Sequence, residues 1–131
     1  MIVSMFERIV LGIAGVTAFT IGGFIALEPH TFYLSYGITL ADDPNLLSEL
    51  RGPGTNLAVL GAVMLAGLFY HPLSKTSIIA AKIVFFAFPV GRVIGILTDG
   101  MPSEAVLAAL AVEIAIAALL FVAFRKTKAF T

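Results

Sequence analysis

The stretch MFERIVLGIAGVTAFTIGGFIAL, from Met5 to Leu27, decides the fold. After Arg8 it contains no charged residue before Glu28, and a helix needs about 20 apolar residues to cross a bilayer. The stretch therefore predicts a membrane-spanning helix. A cleaved signal peptide is the alternative interpretation of an N-terminal apolar stretch, but the chain lacks a small-residue cleavage site followed by a polar segment.

The composition extends this interpretation to the whole chain. Of the 131 residues, 60% are hydrophobic and only 12% are charged, whereas a soluble domain has about 25% charged residues. The eight basic and eight acidic residues leave no net charge to attract nucleic acid. Because the chain has no cysteine, disulfides, thiolate metal sites and thiol redox chemistry are excluded.

Three further apolar stretches predict three further spans. Asp43 followed by Pro44 is typical of a helix start, and Ser103 is a second candidate cap. Pro53 is expected to kink or interrupt its helix because it has no N–H donor. The sequence thus predicts an all-α, integral membrane bundle of four antiparallel helices. It forms one domain over residues 1–131, with spans at about 5–27, 48–70, 76–97 and 104–124.

The charged residues beside the spans predict the orientation, since basic residues collect on the cytoplasmic side. The basic residues of one side are Arg8, Lys75, Arg125, Lys126 and Lys128. The acidic residues of the other side are Asp42, Asp43, Asp99 and Glu104. Both termini are therefore expected in the cytoplasm, with the polar loop 28–48 outside.

Small residues at a spacing of four predict two packing faces, because helices associate in lipid through close backbone approach. The third span carries such a stripe at Ala87, Gly91 and Gly95, and the fourth at Ala109, Glu113 and Ala117. We expect both stripes to contact another helix. Simple alanine richness is the alternative explanation for the fourth span.

Five charged residues from three spans are predicted to lie in the outer half of the bundle, and they form the candidate site: Glu49, Arg51, Arg92, Asp99 and Glu113. A charge inside a membrane costs several kcal/mol, about 3 on insertion scales, unless it is paired, hydrated or neutralised. Arg92 and Glu113 are the best candidates for a buried pair. The cluster is compatible with a pocket for a lipophilic molecule with a polar head, a structural ion-pair network, or a proton path.

Two further polar residues are secondary candidates. Asn56 is suited to an interhelical hydrogen bond, and Lys82 is expected to extend its ammonium group to the cytoplasmic headgroups. His30 and His71 are too few and too far apart to indicate haem or zinc, so no metal is expected. Common catalytic motifs are absent. Glu49 or Glu113 could act as an acid or base, but the sequence does not favour an enzyme.

The motifs ELRGPG at Glu49–Gly54 and FPVGRVIGILTDGMP at Phe88–Pro102, with Glu113 in the last span, resemble a known signature. It is that of a bacterial four-helix membrane family catalogued as domain of unknown function 4345, within the DoxX-like group. The resemblance covers nearly the whole chain and implies a four-helix fold. The group includes subunits associated with quinone-linked oxidation, but the resemblance implies no established activity for this branch.

These observations together lead to one expectation and two alternatives. We expect a protein of the bacterial inner membrane that binds a lipophilic molecule, a quinone or a lipid, at the outer cluster, with no other cofactor evident. The first alternative is a structural accessory subunit of a larger membrane complex or homo-oligomer. The second is a small membrane enzyme that uses a buried glutamate.

Overall fold

The computed structural model describes residue 2 and residues 4–125, and this part of the chain is all-α, as predicted. The helices are α1 (Met5–Leu27), α2 (Pro29–Leu34), α3 (Pro44–Ala66), α4 (Ser74–Asp99) and α5 (Glu104–Phe124). A 3-10 turn, His71–Leu73, precedes α4. Within the described residues, three helical segments are long and apolar enough to cross a membrane: Met5–Leu27, His71–Asp99 and Glu104–Phe124.

Local capping explains where the long helices begin. The Asp43 carboxylate accepts a hydrogen bond from the backbone N–H of Asn45 at 3.0 Å, and the Ser103 hydroxyl accepts one from Val106 at 3.4 Å. Both predicted helix starts are therefore confirmed. Pro53 lies inside α3 without interrupting it. The short helix α2, which follows α1 directly within the loop 28–48, was not predicted.

The most extensive helix packing is between α1 and α3, which run antiparallel. A Cβ atom at Gly22 would overlap the backbone of Ala58, and one at Gly61 would overlap the backbone of Phe19. Only glycine permits two backbones to approach so closely. These glycines therefore set the distance between α1 and α3.

The predicted packing stripe of α4 is wrong. No neighbouring atom of the described residues lies within 4 Å of the position that a Cβ would take at Gly91 or Gly95. Both glycines and Ala87 instead line a cavity, which they share with Ala109 and Glu113 of the α5 stripe. A spacing of four shows that residues share a helix face, but it does not show whether that face meets a helix.

Much of the buried core lies at the end of the bundle where α3 turns into α4. The buried residues of α4 all fall within Ser74–Phe85, and those of α5 fall within 116–124. We call this end the packed half and the opposite end, which contains residues 87–113 of α4 and α5, the open half. The Ser77 hydroxyl joins α4 to α3 in the packed half, since it donates to the carbonyl of Val63 at 2.6 Å.

Lys82 also belongs to the packed half. Its ammonium group donates to the carbonyl of Phe124 at 3.1 Å. The cation therefore lies at the carboxyl end of α5, where the helix dipole is negative. This contact carries the ammonium group to the end of α5, and the expected reach to lipid headgroups stays a prediction.

The antiparallel pairing places the beginning of α3 beyond the end of α1. Gly54 packs against Ile25, and α1 ends only two residues later at Leu27. The segment 44–51 of α3 consequently projects past α1. This segment carries Glu49 and Arg51, which explains why α3 is not among the helices apolar enough to span a membrane by composition.

Candidate functional site

A cavity of about 1100 Å³ occupies the open half, between α1, α2, α4 and α5, and Leu57 of α3 also lines it. Most of its lining is apolar, with Ile21 and Ile25 from α1 and Phe88 and Ile96 from α4 as examples. Phe85 and other residues of the packed core line one end of it. Pockets for small molecules usually measure about 300–1000 Å³, so this space is large enough for a lipophilic molecule of substantial size.

Arg92 and Glu113 form a two-pronged ion pair inside this cavity. Nε of Arg92 donates to Oε1 of Glu113 at 2.7 Å, and Nη2 donates to Oε2 at 2.8 Å. The side chains are only 22% and 12% exposed. The pairing predicted from the sequence is therefore present, and its bidentate geometry is that of the strongest arginine–carboxylate contacts.

The depth of the pair follows from its position along α5. Glu113 lies nine residues after the first residue of that helix, which corresponds to roughly 13 Å at ~1.5 Å per residue. The pair thus lies near the middle of α5 and joins α4 to α5 next to the cavity.

An aromatic segment closes one end of the cavity. Phe32, Tyr33 and Tyr36, which follow α1 on and after α2, all line it. The ring of Phe32 lies 5.1 Å from that of Tyr33 and 5.0 Å from that of Tyr36, measured between centroids. The Ser103 hydroxyl donates to the backbone carbonyl of Tyr36 at 3.1 Å. We call residues 29–38 the aromatic cap, and this hydrogen bond ties it to the start of α5.

The phenols of the aromatic cap lie close to the ion pair. Burial raises the pKa of the Tyr33 phenol above its ordinary value of 10.0, with a second contribution from Tyr36 and an opposing one from Arg92. The Tyr36 phenol also neighbours the Arg92 guanidinium. Two phenol O–H groups thus lie beside the guanidinium that is paired with Glu113.

The structure brings together only part of the predicted cluster. Arg92, Asp99 and Glu113 line the cavity, whereas Glu49 and Arg51 do not. Nη1 of Arg51 donates to the carbonyls of Ala26 and Leu27, at 2.5 and 3.4 Å, and so caps the end of α1. Glu49 is exposed two residues earlier on α3. Both residues are kept out by the projection of α3 past α1.

Two other observations concern residues that the sequence singled out. Asn56 is exposed on α3, and its side chain makes no hydrogen bond to any residue that the structure describes. Among the described residues, no three histidine or acidic side chains lie close enough together to hold a metal ion.

Sequence reasoning missed Tyr33 and Tyr36 as cavity residues. Their spacing of three was the available signal, because residues three apart share one face of a helical turn. The direction in which that face points depends on how α2 folds back over α1, which no local pattern specifies.

A protein-family model matches almost the whole of the described chain. The family model described as Domain of unknown function (DUF4345) matches residues 6–124. The chain belongs to this family. No curated protein and no solved structure matches the chain significantly. The DUF4345 match includes the packed half, the Arg92–Glu113 pair and the aromatic cap, so the cavity lies within the family domain and not in an appended segment.

Proposed function

We propose that the protein is a membrane module that binds a small lipophilic molecule, a quinone or a lipid, in the cavity of the open half. The observation that carries the proposal is a large apolar cavity with the Arg92–Glu113 pair in its wall. Apolar walls can contact the hydrocarbon part of a ligand, and a few polar groups in fixed positions can orient its polar head.

A purely structural ion pair would not need this space. Protein interiors pack closely, and an empty volume forfeits the contacts of the atoms around it. Here two glycines, Gly91 and Gly95, face the space although a larger residue would fit at either position. An occupant that supplies the missing contacts accounts for both the glycines and the volume.

An acid or base role for Glu113 is less favoured by the geometry. Both of its carboxylate oxygens accept hydrogen bonds from Arg92. Catalysis at Glu113 would require the pair to separate first.

The membrane arrangement is part of the same proposal: four spans in the bacterial inner membrane, both termini in the cytoplasm, and a relationship to the DoxX-like group. The antiparallel pairing of α3 with α1 supports a fourth span, since it places the apolar part of α3 beside a spanning helix. Lys75 and Arg125 lie at the packed end, whereas Asp99 and Glu104 lie at the open end, in agreement with the rule on basic residues. Lys126 and Lys128 lie outside the described residues.

Single-cysteine variants test this arrangement directly, because the chain has no cysteine of its own. In intact cells, a membrane-impermeant maleimide should label Ala41→Cys, in the loop before α3. It should label Lys75→Cys, at the start of α4, only after the membrane is permeabilised. Labelling of both positions from the same side would contradict the four-span arrangement.

Binding is tested with two matched glycine variants. Gly91→Leu projects a side chain into the cavity, whereas Gly23→Leu places the same side chain in open space on α1, outside the cavity lining. Each protein is extracted gently from its own membranes and examined by native mass spectrometry. We expect a stoichiometric lipophile on the wild type and on Gly23→Leu, and its loss from Gly91→Leu.

Two outcomes would contradict the proposed function. One is a wild-type protein that carries no small molecule and is recovered only with larger subunits, which would favour the accessory-subunit role. The other is an adduct that persists unchanged in Gly91→Leu, since such a molecule would bind elsewhere.

A further inference from the structure

The charges balance at the polar centre of the cavity, by which we mean the Arg92–Glu113 pair and the phenols of Tyr33 and Tyr36 beside it. Among the described residues that line the cavity, the charged ones are Arg92, Asp99 and Glu113, and Arg92 and Glu113 neutralise each other through two hydrogen bonds. An anionic head near Arg92 would also lie near the Glu113 carboxylate. Since charges interact strongly at the low dielectric of an interior, the repulsion would offset the attraction.

A cationic head near the Glu113 carboxylate would likewise lie near the Arg92 guanidinium and would be repelled by it. Asp99 does not remove this repulsion, because this carboxylate is exposed at the last residue of α4, seven residues from Arg92. A cation held by Asp99 would stay at the solvent-exposed end of the cavity. The polar centre therefore suits an uncharged head.

The hydrogen-bonding capacity of this centre is biased towards donors. The contacts with Glu113 use Nε and Nη2 of Arg92, and a guanidinium carries five N–H groups and no acceptor. The phenols of Tyr33 and Tyr36 supply O–H groups beside it. A phenol of ordinary pKa 10.0 is protonated at physiological pH, and burial raises the pKa of Tyr33 further, so this phenol remains a donor.

From this balance we infer that the cavity selects a lipophile with an uncharged head that carries carbonyl-type acceptor oxygens. The Arg92 guanidinium and the Tyr33 and Tyr36 hydroxyls donate to these oxygens. The Glu113 carboxylate holds Arg92 in place and excludes anionic heads. This inference rests on the proposed function and adds the chemical class of the ligand to it.

Four probes that share a C16 chain and differ in the head test the inference. They are methyl palmitate (an uncharged ester), hexadecanesulfonate (an anion), hexadecyltrimethylammonium (a cation) and hexadecane (no head). Purified full-length protein, freed of endogenous lipophile, is titrated with each probe and the bound fraction is read by native mass spectrometry. We expect the ester to bind at least tenfold more tightly than the other three.

Three variants identify the source of this preference. The double variant Arg92→Met/Glu113→Leu replaces both partners by apolar residues, a change that buried ion pairs commonly tolerate. It should bind the ester and hexadecane equally. Tyr33→Phe keeps the ring but removes one donor, so it should lower the advantage of the ester several-fold even if the double variant fails to fold. Gly91→Leu should abolish binding of all four probes.

The outcomes separate this inference from the proposed function. Preferred binding of the sulfonate or the ammonium probe, blocked by Gly91→Leu, would overturn the selection of an uncharged head while leaving the cavity as the binding site. Equal binding of the ester and hexadecane by the wild type would also overturn it. Probe binding that Gly91→Leu does not affect would overturn the binding site itself, and the inference with it.

Discussion

The packed half and the open half are built from the same kinds of residue, yet they are organised in opposite ways. In the packed half, α4 and α5 bury Phe85, Leu120 and Phe124 against α1 and α3. In the open half the same two helices, both fully described by the structure, bury no residue of comparable size, and a bidentate ion pair joins them in the wall of a cavity. One half thus holds the bundle together, and the other half provides space.

The glycines show the difference most clearly. Gly22 and Gly61 bring two helix backbones into contact, so that a Cβ would overlap the neighbouring chain. Gly91 and Gly95 face a space in which a Cβ would meet no neighbouring atom. Glycine therefore allows close approach in one interface and preserves volume in the other, and only the three-dimensional arrangement distinguishes the two uses.

The largest expected effect separates these two uses of glycine. Gly61→Leu should prevent the close packing of α1 on α3, because the new side chain would occupy the position of the Phe19 backbone. Overpacking usually costs about 1–3 kcal/mol when side chains can adjust, but a helix backbone cannot move aside, so we expect loss of cooperative unfolding in detergent. Gly91→Leu, the matched change in the open half, should unfold at or above the wild-type temperature. Equal destabilisation by both variants would contradict the division into halves.

The next effect concerns the ion pair. Arg92→Met leaves Glu113 buried without its partner, and breaking a buried pair in this way costs about 3–5 kcal/mol. Replacing Glu113 by Leu in the same protein should recover most of that loss, since no unpaired charge is left. Thermal unfolding of the two single variants and the double variant gives the coupling free energy. A double variant less stable than either single variant would show that the pair is needed for folding itself.

The smallest effect is a dependence on pH. Because the pKa of Tyr33 is raised in the folded protein, the unfolded chain loses the phenolic proton first as the pH rises. Stability should be unaffected by this group below pH 10 and should fall as the pH rises through the raised pKa. As the pH rises through the alkaline range, the melting temperature of Tyr33→Phe should fall less than that of the wild type. An identical decrease in both proteins would place the Tyr33 phenol in a solvated position.

The helices were largely predictable from the sequence because membrane spans have strong one-dimensional signals. The first span was predicted at 5–27 and the last at 104–124, where α1 and α5 lie. Apolar length and capping residues such as Asp43 and Ser103 act locally, and local signals are readable in one sequence. The short helix α2 carries few of these signals and was missed.

The candidate site was predictable only in part. Arg92 and Glu113 were found because an isolated charge in a span requires a partner. Glu49 and Arg51 were grouped with them on depth alone, but the offset between α1 and α3 carries both residues past the end of α1. That offset is set by Gly22 and Gly61, which were visible in the sequence but whose pairing depends on tertiary contact.

The central claim is that the open half holds a specific lipophile, whereas the packed half meets only bulk lipid. A photoreactive benzoyl-phenylalanine that replaces Phe88, an aromatic residue of the cavity wall, or Ile83, an exposed position on the packed half of α4, tests it in living cells without filling the cavity at a glycine. After irradiation, the mass of the purified protein reports what each position touched. We predict one dominant small-molecule adduct at position 88 and a broad mixture of membrane lipids at position 83. The same lipid mixture at both positions would contradict the claim.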